Sequence, residues 1–244
     1  MARDLKHLLT NEILERSGVV ANCRMNRERT LTGGNGYTRE IGFNPFEFLV
    51  QAASVRDNVR WLDLCCGTGN ALIEAARSIE ALGLSRQIQI VGVDLVGMFT
   101  PQRINGVGNG PDTMNSLQLI EASVMNWQPE RQFDLITCVH GLHYIGDKLK
   151  LLIDAASWLT DNGQLAANLS LENLKLWDAK SASRTVAAEL RRQGLDYDSR
   201  RKRIQRKGRA TIRLPFRYLG ADDSAGPNYS GQPAVDSYYE LVNE

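Results

Sequence analysis

Residues 63–70 read Asp63-Leu64-Cys65-Cys66-Gly67-Thr68-Gly69-Asn70, directly after the apolar run Val59-Arg60-Trp61-Leu62 and directly before Ala71-Leu72-Ile73-Glu74-Ala75-Ala76. A strand that closes on an acidic residue, then a glycine turn, then a helix start is a nucleotide-cradling arrangement. Gly67 and Gly69 let the backbone come close to a ligand, and a helix opening near Asn70 points free N–H groups at it. A glycine turn alone is a weak signal, so the weight falls on what surrounds it.

Outward from the turn, hydrophobic spacing predicts a strand over 59–64 and a helix over 70–82 with Leu72, Ala75, Ala76, Ile79 and Leu82 on one side. Further strands are expected over 88–94, closing on Asp94, over 117–122, over 133–139 and over 164–170. Asp147 is placed to cap a helix carrying Leu149, Leu152, Ile153, Ala156 and Leu159, which Gly163 ends. Strands alternating with helices imply a parallel sheet with right-handed crossovers and helices on both faces. Between Asp94 and Leu117, Gly97, Gly106, Gly108, Gly110 and two prolines predict an irregular loop where a crossover helix would stand.

Toward the N-terminus, Leu5, Leu8, Leu9 and Ile13 recur at helical spacing over 5–14, and a glycine-rich stretch fills 24–43. A second helix is expected from Asn44 as cap, with Pro45 at its first position and Glu47 three residues on, to about Ser54. Toward the C-terminus, residues 172–193 read as a helix with Trp177, Val186 and Leu190 on one side, closed by Gly194. Strands over 210–219 and 234–241, joined through Gly226-Pro227 and Gly231-Gln232-Pro233, suggest an antiparallel final hairpin.

With 244 residues and 43% hydrophobic content the chain can bury one substantial core, so a single domain over 1–244 is expected. No run of eighteen apolar residues occurs, and the charged, amphipathic first segment is unlike a signal peptide, so a cytoplasmic protein without membrane partners is expected. Cys23, Cys65, Cys66 and Cys138 make no disulfide framework, and Cys138, His140 and His143 lack CxxC or HExxH spacing, so no metal is expected. The net charge of +1 conceals an asymmetry: residues 184–217 carry twelve Lys or Arg against Glu189, Asp196 and Asp198. That run reads as a solvated surface, as an attractor for an anionic small substrate, or as a grip on nucleic-acid phosphates.

Taken together, Leu62-Asp63-Leu64-Cys65-Cys66-Gly67-Thr68-Gly69, Asp94 in Val91-Gly92-Val93-Asp94-Leu95, Glu121-Ala122-Ser123-Val124 and FDLITCVHGLHYIGD at 133–147 resemble class I S-adenosylmethionine-dependent methyltransferases. The resemblance covers 59–170 well and the last two strands loosely, and Cys65 stands where the family carries its first glycine. It implies an α/β, Rossmann-like fold with a seven-stranded mixed sheet, mostly parallel with an antiparallel last strand. Residues 1–58 would form an N-terminal helical cover, 59–170 the cofactor core, 171–209 a substrate cover and 210–244 a C-terminal hairpin.

The resemblance implies S-adenosylmethionine as cofactor and S-adenosylhomocysteine as product. Asp63, Cys65, Gly67, Gly69, Asp94, Leu95, Ser123, Val124 and His140 would line the cofactor, with Tyr37 reaching its methionine end. Asp94 would accept from the ribose hydroxyls, and Ser123 would stand where the family's adenine-binding acid does. An NAD-binding protein would also place an acid at Asp94, but CCGTGN lacks the G-x-G-x-x-G spacing. His140, following the fourth strand, is the candidate general base or else a cofactor or backbone partner. Phe43, His143, Tyr144 and Trp177 are candidates for the substrate side. The acceptor expected is an oxygen or nitrogen of a small metabolite, with an RNA methyltransferase using 184–217 and a non-catalytic cofactor-binding protein as alternatives.

Overall fold

The computed structural model describes residues 7–21, 28–99, 116–177 and 182–242. At its centre lies β1 (Val59–Leu64), flanked by β2 (Ile88–Asp94) and β4 (Phe133–Cys138), with β3 (Leu117–Glu121) outside β2 and β5 (Leu159–Asn168) outside β4. Every pairing among these five strands is parallel. The period of two along β1 sends Val59 and Trp61 into one hydrophobic layer and Leu62 and Leu64 into the other. Helix α5 (Asn70–Ala81) lays Leu72, Ala75, Ala76 and Ile79 on the first layer beside α3 (Tyr37–Ile41) and α4 (Pro45–Ala53). On the opposite face, α6 (Lys148–Ser157) and α7 (Ala182–Arg192) contribute Leu149, Leu152, Val186 and Leu190.

The sheet has seven strands in the order β3-β2-β1-β4-β5-β8-β7, and its last two join antiparallel. The seven-stranded mixed sheet is the one expected, but its outer strands come from elsewhere in the chain. They are β7 (Asp196–Asp198) and β8 (Arg203–Lys207), inside the segment expected as a substrate cover. Charge hid β8: only Ile204 of its five residues is fully buried, so the apolar signal of a strand is one residue deep. The expected terminal hairpin does form, as antiparallel β9 (Phe216–Asp222) and β10 (Asp236–Leu241). It pairs with β6 (Leu174–Leu176) in a separate three-stranded sheet, because β8 already occupies the free edge of β5.

Buried Lys148 fastens that small sheet to the main body. Its Nζ donates to the Ile145 and Val235 carbonyls and to Ser237 Oγ at 2.7–2.8 Å. Burial pulls the Lys148 ammonium down to about 7.

Local signals placed several ends correctly. Asn44 Oδ1 accepts from Phe46 N at 3.0 Å, and Asp147 Oδ1 accepts from Lys150 N at 3.1 Å. Four expectations need correction. α6 stops at Ser157 rather than Gly163, since Leu159 already pairs with Phe133 and the irregularity that follows absorbs 160–163 within β5. The helix expected over 172–193 is a 3-10 turn (Leu171–Asn173), β6 and then α7, so Trp177 lies on no helix. Its N–H donates to the Tyr239 carbonyl. Of the helix expected over 5–14, residues 5 and 6 lie outside the described residues, and from 7 to 14 the α-helix is confined to α1 (Asn11–Leu14), because Leu9 exchanges two backbone hydrogen bonds with Ala221. Strands expected over 210–219 and 234–241 begin later, at Phe216 and Asp236. A second short helix, α2 (Gly18–Ala21), follows α1. Most of the loop expected after Asp94, including Gly106, Gly108 and Gly110, lies outside the described residues, as does Cys23.

Candidate active site

The glycine turn closes β1 and opens α5. Asp94, ending the neighbouring β2, accepts from Gly67 N at 2.9 Å with one carboxylate oxygen and from Val96 N at 3.0 Å with the other. The carboxylate therefore clamps the turn with both of its oxygens. Cys65 adopts φ +59° and His140 φ +60°, a left-handed backbone that costs a non-glycine residue about 1 kcal/mol or more. Gly141 explains why both are held so: a Cβ there would overlap Cys65 Cβ and sit 2.8 Å from Cys138 Sγ. The ends of β1 and β4 thus touch directly, with Cys65 filling the space.

Asp63 is withdrawn from this surface. It is fully buried, accepts from the Tyr37 hydroxyl at 2.6 Å and from Thr137 Oγ1, and Thr137 Oγ1 in turn accepts from Trp61 Nε1 at 2.7 Å. Burial raises the Asp63 carboxyl to about 7 against the opposing effect of its two hydroxyl donors, with the Asp94 charge raising it further.

A cleft of about 700 Å³ opens at the carboxyl ends of β1, β2 and β4. Cys65, Asp94, Leu95, Val124, His140 and Tyr144 line it, all named from the sequence. Its other wall comes from α1 and α2, where Asn11, Leu14, Glu15 and Val20 close over it. The chemistry is mixed in the useful way: Asp94 offers acceptors at one end and Val124, Met125 and Leu95 an apolar slot beside it. Glu15 also meets Ser123, whose hydroxyl donates to Glu15 Oε1 at 2.5 Å. That hydroxyl also accepts from Met125 N at 3.2 Å.

A second, polar cleft of about 1250 Å³ lies beyond His140, lined by Arg29, Arg39, Glu40, Arg201, Tyr229 and Gln232 among others. His140 borders both clefts and is only 3% exposed. Its Nε2 lies 3.0 Å from Glu40 Oε2, its backbone N–H donates to Asn168 Oδ1, and Asn168 Nδ2 donates to Glu40. The His140 contact, first, with the Arg29 and Arg39 charges, holds the Glu40 carboxyl below its ordinary range against the cost of burial. Both ring nitrogens of His140 are buried and neither makes a hydrogen bond among the described residues, Nε2 having only the close Glu40 contact.

Several expected site residues fall elsewhere. Tyr37 is 3% exposed with its hydroxyl spent on Asp63, so it braces the site from beneath instead of reaching a ligand. Phe43 packs on Phe48, ring centroids 5.9 Å apart, away from both clefts. Trp177 packs on Tyr238 in the small sheet, also outside both clefts. His143 is fully buried under Tyr229 and His140, and burial pushes its imidazole well below the usual histidine range. Tyr144 sits in the first cleft and not the second. Glu40, Arg29 and the α1–α2 residues were not singled out from the sequence. Glu40 had a signal, standing three positions after Tyr37 on the same side of α3. For the α1 residues the signal was the helical spacing over 5–14, which pointed to a helix but not to the side chains that line the cleft.

Residues 28–211 match the family model described as a methyltransferase domain. No curated protein matches the chain. Among solved structures, the [4+2]-cyclase SpnF is 18% identical with a TM-score of 0.38, over 50% of this chain and 43% of its own. Coclaurine N-methyltransferase is 15% identical, TM-score 0.38, over 50% of this chain and 33% of its own. YjhP from E. coli is 18% identical, TM-score 0.39, over 64% of this chain and 55% of its own. The chain spans less than two thirds of the length of each. The family match covers most of the chain, including both sides of the glycine turn and His140, and on that ground the protein belongs to the methyltransferase domain family, whose cofactor is S-adenosylmethionine.

Proposed function

We propose that the protein methylates an oxygen or nitrogen of a small metabolite, of the kind found among natural-product intermediates, with His140 as general base. The first cleft suits the cofactor: Asp94 brings a carboxylate to it from the end of β2, and Leu95, Val124 and Met125 line it with apolar side chains. When bound, S-adenosylmethionine supplies an electrophilic methyl. The acceptor's lone pair would take that methyl, the electron pair of the carbon–sulfur bond remaining with the departing thioether.

The chain's own work is to position the acceptor, exclude water and take a proton. His140 Nδ1 is the atom that takes it, with Glu40 fixing the ring through Nε2 and stabilising the charge that forms. Asn168 fixes the backbone of the same residue. The single observation carrying this reading is that His140 alone among the described titratable side chains borders both clefts.

Two cations of the basic run are already engaged, which weighs against the RNA reading: Lys202 stands at Glu172, and Arg206 is spent on the backbone carbonyls of Gln193, Gly194 and Gly208. A cytoplasmic setting belongs to the same reading. It is supported by the free thiols of Cys65, Cys66 and Cys138 and by the absence, among the described residues, of any helix long and apolar enough to cross a membrane.

The test is calorimetric titration of S-adenosylhomocysteine alongside transfer of labelled methyl to a panel of hydroxylated and aminated small molecules. His140→Ala is expected to retain product binding and lose transfer. Transfer at the wild-type rate in His140→Ala sinks the assignment of the base.

A further inference from the structure

Resting on that reading, we propose that the polar cleft beyond His140 takes an anionic small molecule. Arg39 and Arg201 hold its carboxylate or phosphate while a hydroxyl or amine of the same molecule meets His140. The charge ledger of the cleft is the first argument. Three guanidinium groups face it, from Arg29, Arg39 and Arg201, against the single carboxylate of Glu40. Arg29 and Glu40 form an internal pair, 3.4 Å apart, with Arg29 also donating to Asn35 Oδ1 at 2.7 Å. Arg201 has Asp198 at 3.2 Å but is largely in solvent, where such a pair is worth little. Arg39 donates to the Gly34 carbonyl and is paired with no carboxylate among the described residues. A surplus of positive charge therefore remains on two walls, carried by groups whose forked donors match a carboxylate or phosphate.

The second argument is independent of charge. Both ring nitrogens of His140 are buried without a hydrogen bond among the described residues, Nε2 having the Glu40 carboxylate 3.0 Å away, and a polar atom so placed costs stability unless a ligand completes it. The ligand that completes a basic nitrogen brings a proton-bearing atom. An ionised carboxylate brings none, so the acid group is the handle and the hydroxyl or amine is the methylated atom. Ser230 and Gln232, from the connection between β9 and β10, add neutral donors along the rim, and Tyr229 covers the imidazole at a centroid distance of 6.1 Å. The walls of the cleft thus come from segments remote along the chain, around 29–40, 201 and 229–232.

The experiment titrates the full chain with malonate and, separately, inorganic phosphate, at fixed ionic strength. Wild type, Arg39→Ala/Arg201→Ala and Arg192→Ala are compared, with S-adenosylhomocysteine titrated in parallel. Arg192 lies on α7 outside the cleft, paired with Glu189. One probe is expected to bind wild type and Arg192→Ala equally and to weaken at least about tenfold in the double variant, with S-adenosylhomocysteine affinity unchanged. The tighter probe assigns the handle as carboxylate or phosphate. Absence of binding by both probes, equal binding to the double variant, or equal loss in Arg192→Ala overturns the proposal. Arg39→Gln/Arg201→Gln carries the same comparison should the alanine variant unfold. Arginine-dependent anion binding without S-adenosylhomocysteine binding in wild type would overturn the methyl-transfer reading and leave the anion site standing.

Discussion

Tyr37 donates its hydroxyl to Asp63 Oδ2 at 2.6 Å, and neither side chain reaches solvent. The bond clips a helix of five residues to the end of the central strand, and that helix carries Arg39 and Glu40 to the polar cleft. Gln205 Nε2 secures its far end by donating to the Ile41 carbonyl at 3.1 Å. A helix too short to be stable alone is thereby made a rigid mount for two site residues.

Removing the clip leaves a buried carboxyl one donor short. Tyr37→Phe should lower unfolding free energy by about 1–3 kcal/mol in urea titrations. Methyl transfer should fall with it, because Glu40 loses its footing.

Asp63 also sets a pH dependence. Its carboxyl ionises at about 7 when folded, against about 3.9 in an unfolded chain, so the folded state holds the proton more tightly. The stability it contributes is full below about pH 4 and is lost as pH rises through 7. Asp63→Asn keeps the shape, accepting from Thr137 and donating to the Tyr37 oxygen. The decline in urea midpoint between pH 5 and pH 8 should shrink in that variant.

Asp94 clamps the turn with both oxygens, and Asp94→Asn replaces one acceptor by an N–H facing a backbone N–H. S-adenosylhomocysteine affinity measured by calorimetry should drop by about 10-fold, the loss of one charge-assisted bond at about 1.5 kcal/mol. Undiminished binding would remove Asp94 from the cofactor site.

Gly141→Ala tests the contact between the ends of β1 and β4. The added methyl overlaps Cys65 Cβ and has no flexible side-chain tip to displace. A loss of about 1–3 kcal/mol in stability, with S-adenosylhomocysteine binding weakened in parallel, is the expected result.

Glu40→Gln separates orientation from binding. The carboxylate lies 3.0 Å from His140 Nε2, so its loss should lower kcat by about 10–100-fold while leaving S-adenosylhomocysteine affinity unchanged. Equal losses in both would mean that Glu40 serves the cofactor.

The central strands were legible to within a residue or two because each is a short apolar run bounded by turn residues: Val59–Leu64, Ile88–Asp94, Leu117–Glu121 and Phe133–Cys138. The helix caps at Asn44 and Asp147 were legible because a cap bonds within three residues of itself. β8 was not, since its one buried residue, Ile204, is meaningful only once β5 lies beside it. The same holds for Tyr37, where an aromatic after a glycine-rich stretch could equally line a ligand or brace a carboxylate.

From sequence alone, the chain determined the β1–turn–α5 unit, the acid at the end of β2 and the histidine after β4, all written in contacts between near neighbours. Only the tertiary structure decided that Asp63 faces inward, that Glu40 lies against His140, and which side chains of α1 and α2 line the first cleft. Those outcomes join residues distant along the chain, and such pairings follow from packing and buried hydrogen-bond satisfaction, which no local pattern records.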